Sequence, residues 1–294
     1  MQSGKDKLPL ARRRVSGTDL APPSSISVRV ACAVRAVSFA LLFLLTHASL
    51  VLLFPWSISR FLLFLAWYGA GTLIMLYLLF HPRSQWLVSN RSRVESDGRQ
   101  CIALTFDDGP NPSHTVELLE ILRNSGVQAT FFVIGTQAEQ NPDLLRCIAA
   151  DGHLIANHTY SHPIFFCFLT PWQLRSEIRK GQDAIERICG QRPRYFRSPV
   201  GLRHPLLNLY LEQEQLEYIS WTIRSFDTLV SQPETILKKI LRRVTPGDVI
   251  LLHDNASAGA GLMLDVLPRL IDELKGRGFD FVPVGFHQPV AVPA

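Results

Sequence analysis

Two textures of hydrophobicity divide the chain. Up to residue 80 the apolar residues come in long unbroken runs, and from about residue 99 they come in short runs separated by amphipathic stretches. "AVSFALLFLLTHASLVLLF" (36–54) runs 19 residues without a charge, and "FLLFLAWYGAGTLIMLYLLF" (61–80) runs 20. A bilayer-spanning helix needs about 20 apolar residues, so the pattern predicts two transmembrane helices joined by a connection over Pro55–Arg60. A signal peptide is the alternative for the first run, but its apolar stretch is long and no clear small-residue cleavage site precedes the second. Trp56, Trp67 and Tyr77 are aromatics suited to interface or packing positions.

The second texture alternates strand-like and helix-like segments. Strand-like runs are "CIALTF" (101–106), "ATFFVIG" (129–135), "GHLIANH" (152–158), "RYFRSP" (194–199), "EYISWTI" (217–223), "DVILLH" (248–253) and "FDFVPV" (279–284). Helical patterns lie between most of them: "HTVELLEILRNSG", with Gly126 as a C-terminal stop, "LLRCIAADG", "PWQLRSEIRKGQDAIERICG", "PETILKKILRRV" and "MLDVLPRLIDELKGRG". Strands alternating with helices imply an α/β fold on a parallel sheet. Seven strands suggest a barrel or an incomplete one, a fold that collects its chemistry where strands end and loops begin.

Charge changes the picture little. The net charge is +5, but residues 1–35 hold seven basic and two acidic residues, whereas the remainder holds 23 of each. The positive charge is therefore a property of a flexible basic arm, not of a folded face, and a nucleic-acid partner is excluded. Such an arm suits the cytosol or a lipid headgroup region. Five cysteines without a C-x-x-C spacing form neither a disulfide framework nor a zinc ribbon. They read as buried free thiols, which favours a reducing compartment.

The unusual polar residues sit at the ends of the strand-like runs. Asp107 and Asp108 close the first, His158 and His162 ("NHTYSH") follow the third, Arg197 lies in "RSPVG" at the fourth, Asp227 follows the fifth, and His253-Asp254 closes the sixth. A single strand-end acid is ordinarily a turn former; five strands ending this way are not explained by capping. An H-x-x-x-H pair shares a face where the chain turns helically. With a carboxylate from the first strand, two imidazoles form a donor set for Zn²⁺ or a similar ion that leaves a position for water. Hydrolysis further needs a base and an acid, and Asp107 and His253 are the candidates. The adjacent acids face one site if the strand ends at Phe106 and Gly109-Pro110 turns the chain away.

"TFDDGP", "HTYSH", "RSPVG", the run from Trp221 to Asp227 and "LLHD" resemble, in order and spacing, the five motifs of NodB-type polysaccharide deacetylases, carbohydrate esterase family 4. The resemblance covers roughly residues 99–286. It implies a distorted (β/α)7-type barrel that removes an acyl group, most often acetyl, from an N-acylated amino sugar. It further implies that Asp108, His158 and His162 bind a divalent metal, most simply Zn²⁺ with Co²⁺, Ni²⁺ or Mn²⁺ as alternatives. Asp107 would be the base and His253 the acid that protonates the departing amine. Arg197 would orient Asp107, and Asp227 would hold Arg197 or His253. A backbone N–H near Val200 would meet the oxyanion, and Leu251 and Trp221 would enclose the acyl methyl. This chain departs from the family pattern at Val200, usually an aromatic, at Arg224, usually an Asp, and at Thr228, usually a Trp. Arg224 suits an anionic group such as a phosphate.

The expected organisation is thus a basic arm (1–35), a transmembrane hairpin (36–80), a linker (81–98), the deacetylase domain (99–286) and a C-terminal tail (287–294). Arg29 and Arg35 before the hairpin, and Arg83, Arg91, Arg93 and Arg99 after it, place both ends in the cytoplasm by the positive-inside rule. The substrate expected there is a membrane-associated or lipid-linked glycan. The alternatives are an extracytoplasmic deacetylase of peptidoglycan or another polysaccharide, and a non-catalytic sugar-binding domain. The sequence specifies no oligomeric state. His114, His153 and His204 read as structural or solvated and Trp172 as a packing residue. Asp254 is open between turn former and site support, and "FFCF" (165–168) between core and a bilayer-facing loop.

Overall fold

The structure is a computed structural model and describes residues 38, 41–49, 57–81, 84–95, 98–227, 232–254 and 260–285. In chain order it contains α1 (Ile58–Phe80), β1 (Asn90–Arg91), β2 (Cys101–Asp107), α2 (Thr115–Asn124), β3 (Thr130–Val133), α3 (Gly135–Gln140) and α4 (Pro142–Ala150). Then come β4 (Leu154–Asn157), α5 (Pro171–Cys189), β5 (Tyr195–Phe196), α6 (Leu207–Gln213), β6 (Glu217–Ile219) and β7 (Ile223–Arg224). α7 (Pro233–Leu241), β8 (Val249–His253), α8 (Ala260–Gly276) and β9 (Asp280–Phe281) complete it.

All strand ladders are parallel, in the order β1-β6-β5-β4-β3-β2-β8-β7, with β9 also on β2. The sheet curls, and the chain itself shows why. β6 and β7 lie near opposite ends of that order yet are separated only by Ser220-Trp221-Thr222. Three residues reach about 10 Å at most, so the two ends must come together. The joining residues complete the seam: Ser220 N–H donates to the Arg91 carbonyl and Thr222 N–H to the Val249 carbonyl. Val94 N–H donates to the Gly247 carbonyl beside an antiparallel Arg93–Asp248 bridge. The distorted (β/α)7-type barrel expected from the sequence is the fold observed.

Alternation along the strands sorts the core into two layers. From β2, Ile102, Leu104 and Phe106 pack with the helices, while Cys101 and Ala103 join Phe132, Ala156, Trp221, Val249 and Leu251 inside the barrel. The helices form for local reasons. α5 starts on a capping box between Thr170 and Gln173 and stops at Gly190, whose φ of 70° is left-handed. α2 buries Leu118, Leu119 and Leu122, and the chain leaves it through Gly126 as expected.

Within 81–98, read from sequence as a linker, β1 pairs with β6 and Val88 and Val94 are fully buried or nearly so. Two-residue strands carry no readable period, and α3 and α6 were likewise not anticipated. Among the described residues, one helix, Ile58–Leu78, is long and apolar enough to cross a membrane. It begins three residues before the 61–80 run. Of the first run, 41–49 is helical and lies beside α1: the Phe43 and Trp67 rings stack at 5.4 Å, and Tyr68 Oη and His47 Nδ1 are 2.9 Å apart. Most of the remaining first-run residues lie outside the described ones. At the other end of α1, buried Arg203 donates from Nη1 to the His81 carbonyl at 2.7 Å.

Candidate active site

Because the strands are parallel, their C-terminal ends share one rim, and the strand-end residues picked out from sequence meet there. Asp107 and His253 are register partners on the neighbouring strands β2 and β8. Asp107 follows Ala103 and Thr105 on the inward face of β2, and His253 follows Val249 and Leu251 on that of β8. β2 runs through Asp107 and does not stop at Phe106. The turn is made one residue later, by Asp108 itself, at φ 75°. Regular alternation would send Asp108 outward; the left-handed torsion brings it to the same rim. Few non-glycine residues adopt this conformation, and it is characteristic of functional sites.

The two histidines also meet, but not on a helix. His158 follows β4, and the chain doubles back through Thr159 (φ 69°) to His162 (φ 54°) in a loop. The donor atoms of Asp108, His158 and His162 all lie within 4.8 Å of one another. Asp108 Oδ1 is 3.4 Å from His158 Nε2 and 3.2 Å from His162 Nε2, yet it is buried and makes no hydrogen bond. Three donor atoms aimed at one point without bonding to each other fit a cation. His158 Nδ1 lies 2.7 Å from the Arg197 carbonyl, which fixes the proton on Nδ1 and leaves the Nε2 lone pair free. Burial pushes the Asp108 carboxyl up, but the two imidazoles more than reverse this and hold it well below the usual carboxylate range. Burial pulls His162 down, and Asp108 reverses that too, leaving it raised. The nitrogen-rich donor set suits Zn²⁺ and neighbouring divalent ions.

Each candidate acid–base residue has its own support. Arg197 is fully buried and donates from Nη1 to Asp107 Oδ1 at 2.6 Å and to Thr105 Oγ1 at 2.9 Å. Its Nε and Nη2 donate to the Ile219 and Ser220 carbonyls, each at 3.2 Å, and its guanidinium lies 3.9 Å from the centroid of Phe132. Asp227 holds His253, not Arg197. Its Oδ1 is 2.8 Å from His253 Nδ1 and its Oδ2 accepts the His253 backbone N–H at 2.8 Å. Burial lowers the His253 pKa, but Asp227 reverses the effect and leaves it raised. Nε2 is then the atom left for chemistry.

Asp107, Asp108, His158, His162 and His253 line one cavity of about 170 Å³ with Val200, Gly201, Trp221, Arg224 and Leu251. That is below the roughly 300–1,000 Å³ of a pocket that encloses a whole small molecule, so it fits the reacting end of a larger substrate. Val200 is left-handed at φ 57°, a costly conformation for a β-branched residue. Thr228 lies outside the described residues.

His153 is structural: its Nδ1 accepts from Ala129 N–H, and burial takes its pKa down to about 4. His204 bonds locally to the Leu169 carbonyl and Leu206 N–H. Asp254 is a support, accepting from Thr115 Oγ1 at 2.6 Å, and burial pushes its carboxyl up to about 7. Trp172, expected to pack, is exposed, and "FFCF" divides, with Phe166 and Cys167 buried and Phe165 and Phe168 exposed. Of the free cysteines, Cys101 and Cys167 are buried as expected, whereas Cys147 is exposed. Sequence reasoning missed Thr105, Ser225 and Gly201. Ser225 Oγ donates to Asp227 Oδ1 at 2.7 Å. A hydroxyl within the apolar run "CIALTF" was the available signal for Thr105.

A parallel barrel with a divalent-metal donor set, a buried carboxylate and a carboxylate-backed histidine defines a hydrolase class. Comparison with known proteins agrees. The polysaccharide deacetylase family model matches residues 95–221. Peptidoglycan-N-acetylglucosamine deacetylase of Bacillus cereus is 34% identical over 183 residues, 62% of this chain and 66% of that protein. Chitooligosaccharide deacetylase of Bradyrhizobium sp. is 32% identical over 206 residues, 66% of this chain and 93% of that protein. The solved Bc1960 peptidoglycan N-acetylglucosamine deacetylase superposes with a TM-score of 0.63 at 31% identity, covering 66% of this chain and 90% of that one. The chain belongs to the polysaccharide deacetylase family, the NodB-type carbohydrate esterases of family 4. Enzymes of this family are metal-dependent hydrolases of N-acetyl amide bonds.

Proposed function

We propose that this chain removes the N-acetyl group from N-acetylglucosamine units of a peptidoglycan- or chitooligosaccharide-type glycan. The observation that carries the reading is the convergence of Asp107, Asp108, His158, His162 and His253 on one small cavity. The substrates in the relatives' names supply the glycan class.

Asp108, His158 and His162 would hold the ion, Zn²⁺ or alternatively Co²⁺, Ni²⁺ or Mn²⁺. When bound, it supplies Lewis acidity to the acyl group and the attacking water. Asp107, held by Arg197, takes the proton of that water as its oxygen attacks the acyl carbon. The Val200 N–H meets the oxyanion that develops on the former carbonyl oxygen. His253, charged and held at Nδ1 by Asp227, passes its Nε2 proton to the nitrogen as the C–N bond breaks. The products are acetate and the free amine. Leu251 and Trp221 enclose the methyl, and the glycan lies across the cavity mouth.

Acetate release from N-acetylated chitooligosaccharide, with metal content measured on the same sample, tests this. Asp107→Asn is expected to lower the rate at least about 100-fold, the scale of a lost general base, while bound metal is retained. Unchanged acetate release in Asp107→Asn would falsify the base assignment. Wild-type protein that neither holds metal nor releases acetate would favour the non-catalytic sugar-binding alternative.

The relatives' substrates favour a domain on the outer face of the membrane. One observation favours the other side. The contacts of Phe43 and His47 with Trp67 and Tyr68 fit a hairpin, and the basic flanks would then put both ends in the cytoplasm, facing a lipid-linked precursor.

A further inference from the structure

One charged group in the active-site cavity has no part in the deacetylation steps. Arg224, the last residue of β7, lines the cavity beside Asp107, Asp108 and His253. Its Nε is buried without a hydrogen-bond partner. The guanidinium lies over Phe226, with Cζ 5.1 Å from the ring centroid, and Lys239 of α7 lies over the same ring with Nζ 3.3 Å from it. Phe226 is itself left-handed at φ 62°, so the ring that both cations approach is held at a conformational cost. Burial, then Arg243 and then Arg224 lower the Lys239 pKa; three positive groups therefore share this corner.

Among the described residues, no carboxylate neutralises them: neither Arg224, Lys239 nor Arg243 forms an ion pair. The adjoining segments 228–231 and 255–259 contain no acidic residue. The nearby acids are committed: Asp107 to Arg197, Asp108 to the two imidazoles and Asp227 to His253. A partly desolvated guanidinium with no counter-charge gains strongly from an incoming anion, and its fork matches phosphate or carboxylate in two parallel bonds.

We propose that Arg224, reinforced by Lys239, binds an anionic substituent, phosphate or carboxylate, carried by the glycan beside the reacting N-acetyl group. The proposal rests on the deacetylase reading and narrows its substrate class. A neutral chitooligosaccharide leaves this corner unused, whereas a muramic-acid carboxylate or a sugar phosphate fills it.

Binding separates this proposal from catalysis. The full chain in detergent is titrated with N-acetylglucosamine, N-acetylglucosamine 1-phosphate and N-acetylmuramic acid, at low and high salt, and acetate release is measured in parallel. At least one anionic sugar is expected to bind about tenfold more tightly than N-acetylglucosamine, with the preference shrinking in salt. Which of the two is favoured identifies phosphate or carboxylate as the natural group. Arg224→Ala is expected to erase the preference, Lys239→Ala to narrow it, and Arg224→Lys to keep part of it. Equal binding of all three sugars by wild type overturns the proposal without reference to any variant. So does a preference that survives Arg224→Ala. Missing acetate release with an intact anion preference instead counts against the deacetylase reading alone.

Discussion

At Asp108 the backbone passes into the left-handed region (φ 75°), one residue beyond the end of β2. That torsion lets two neighbouring carboxylates serve one site, Asp107 against Arg197 and Asp108 against the imidazoles. The pairing was legible in "TFDDGP", but its cause was not, since a left-handed Asp leaves no mark in a hydrophobicity pattern. The same holds for His158 and His162, whose spacing suggested a helix while Thr159 and His162 form a left-handed loop. Asp227 raises the His253 pKa against the effect of burial, so the acid form persists to higher pH and activity falls as pH rises through that raised value. Asp227→Asn is therefore expected to move the alkaline limb of the kcat/KM profile toward lower pH; an unmoved limb would assign that limb elsewhere. Asp254, pushed up to about 7 from 3.8, keeps a proton in the folded state that the unfolded chain releases, so its contribution to stability declines as pH rises from about 4 to about 7. In chelator-treated protein, Asp254→Asn should gain melting temperature relative to wild type as pH goes from 5 to 8. A constant difference would count against the shift.

At the level of elements, the segment from β6 through Trp221 to β7 closes the barrel and presents Trp221 to the cavity. Gly201 makes room for it. It is left-handed at φ 75°, and a Cβ there would sit 2.4 Å from Trp221 Cη2. Gly201→Ala should therefore cost about 1–3 kcal/mol from strain and overpacking, read by denaturant unfolding, and raise KM by displacing Trp221, the proposed wall of the acyl pocket. Normal stability with normal KM would mean that Trp221 does not enclose the acyl group. Six of the seven strand-like runs each hold one strand, whereas the run 217–223 is broken at Ser220–Thr222 into β6 and the first residue of β7, a split that an unbroken apolar pattern does not show. β1 was invisible because Asn90–Arg91 is polar and only two residues long; it is held by its register with Tyr218 and Ile219, a partner that sequence alone does not supply. α3 and α6, of six and seven residues, are too short for the helical period to emerge.

For the whole molecule, the proposed anchoring by α1 puts the rim on one face of a bilayer, and a reporter at the C-terminus tells which. An alkaline phosphatase fused at residue 294 is expected to be active if the domain works on exported glycan, as the relatives' substrates favour. An inactive fusion, with a fluorescent reporter bright at the same position, would favour the cytoplasm-facing hairpin. Composition made the apolar N-terminal region legible, and its basic flanks pointed to the cytoplasm, whereas the substrates in the relatives' names favour the opposite face.

The bond from Arg203 to the His81 carbonyl ties the catalytic barrel to the last turn of α1. With α1 in a bilayer, the enzyme is mounted on a stub and not trailed on a tether. So mounted, the domain would be held close to the lipid surface and would search for substrate by lateral diffusion. Glycan close to the bilayer would then be favoured over identical glycan farther out.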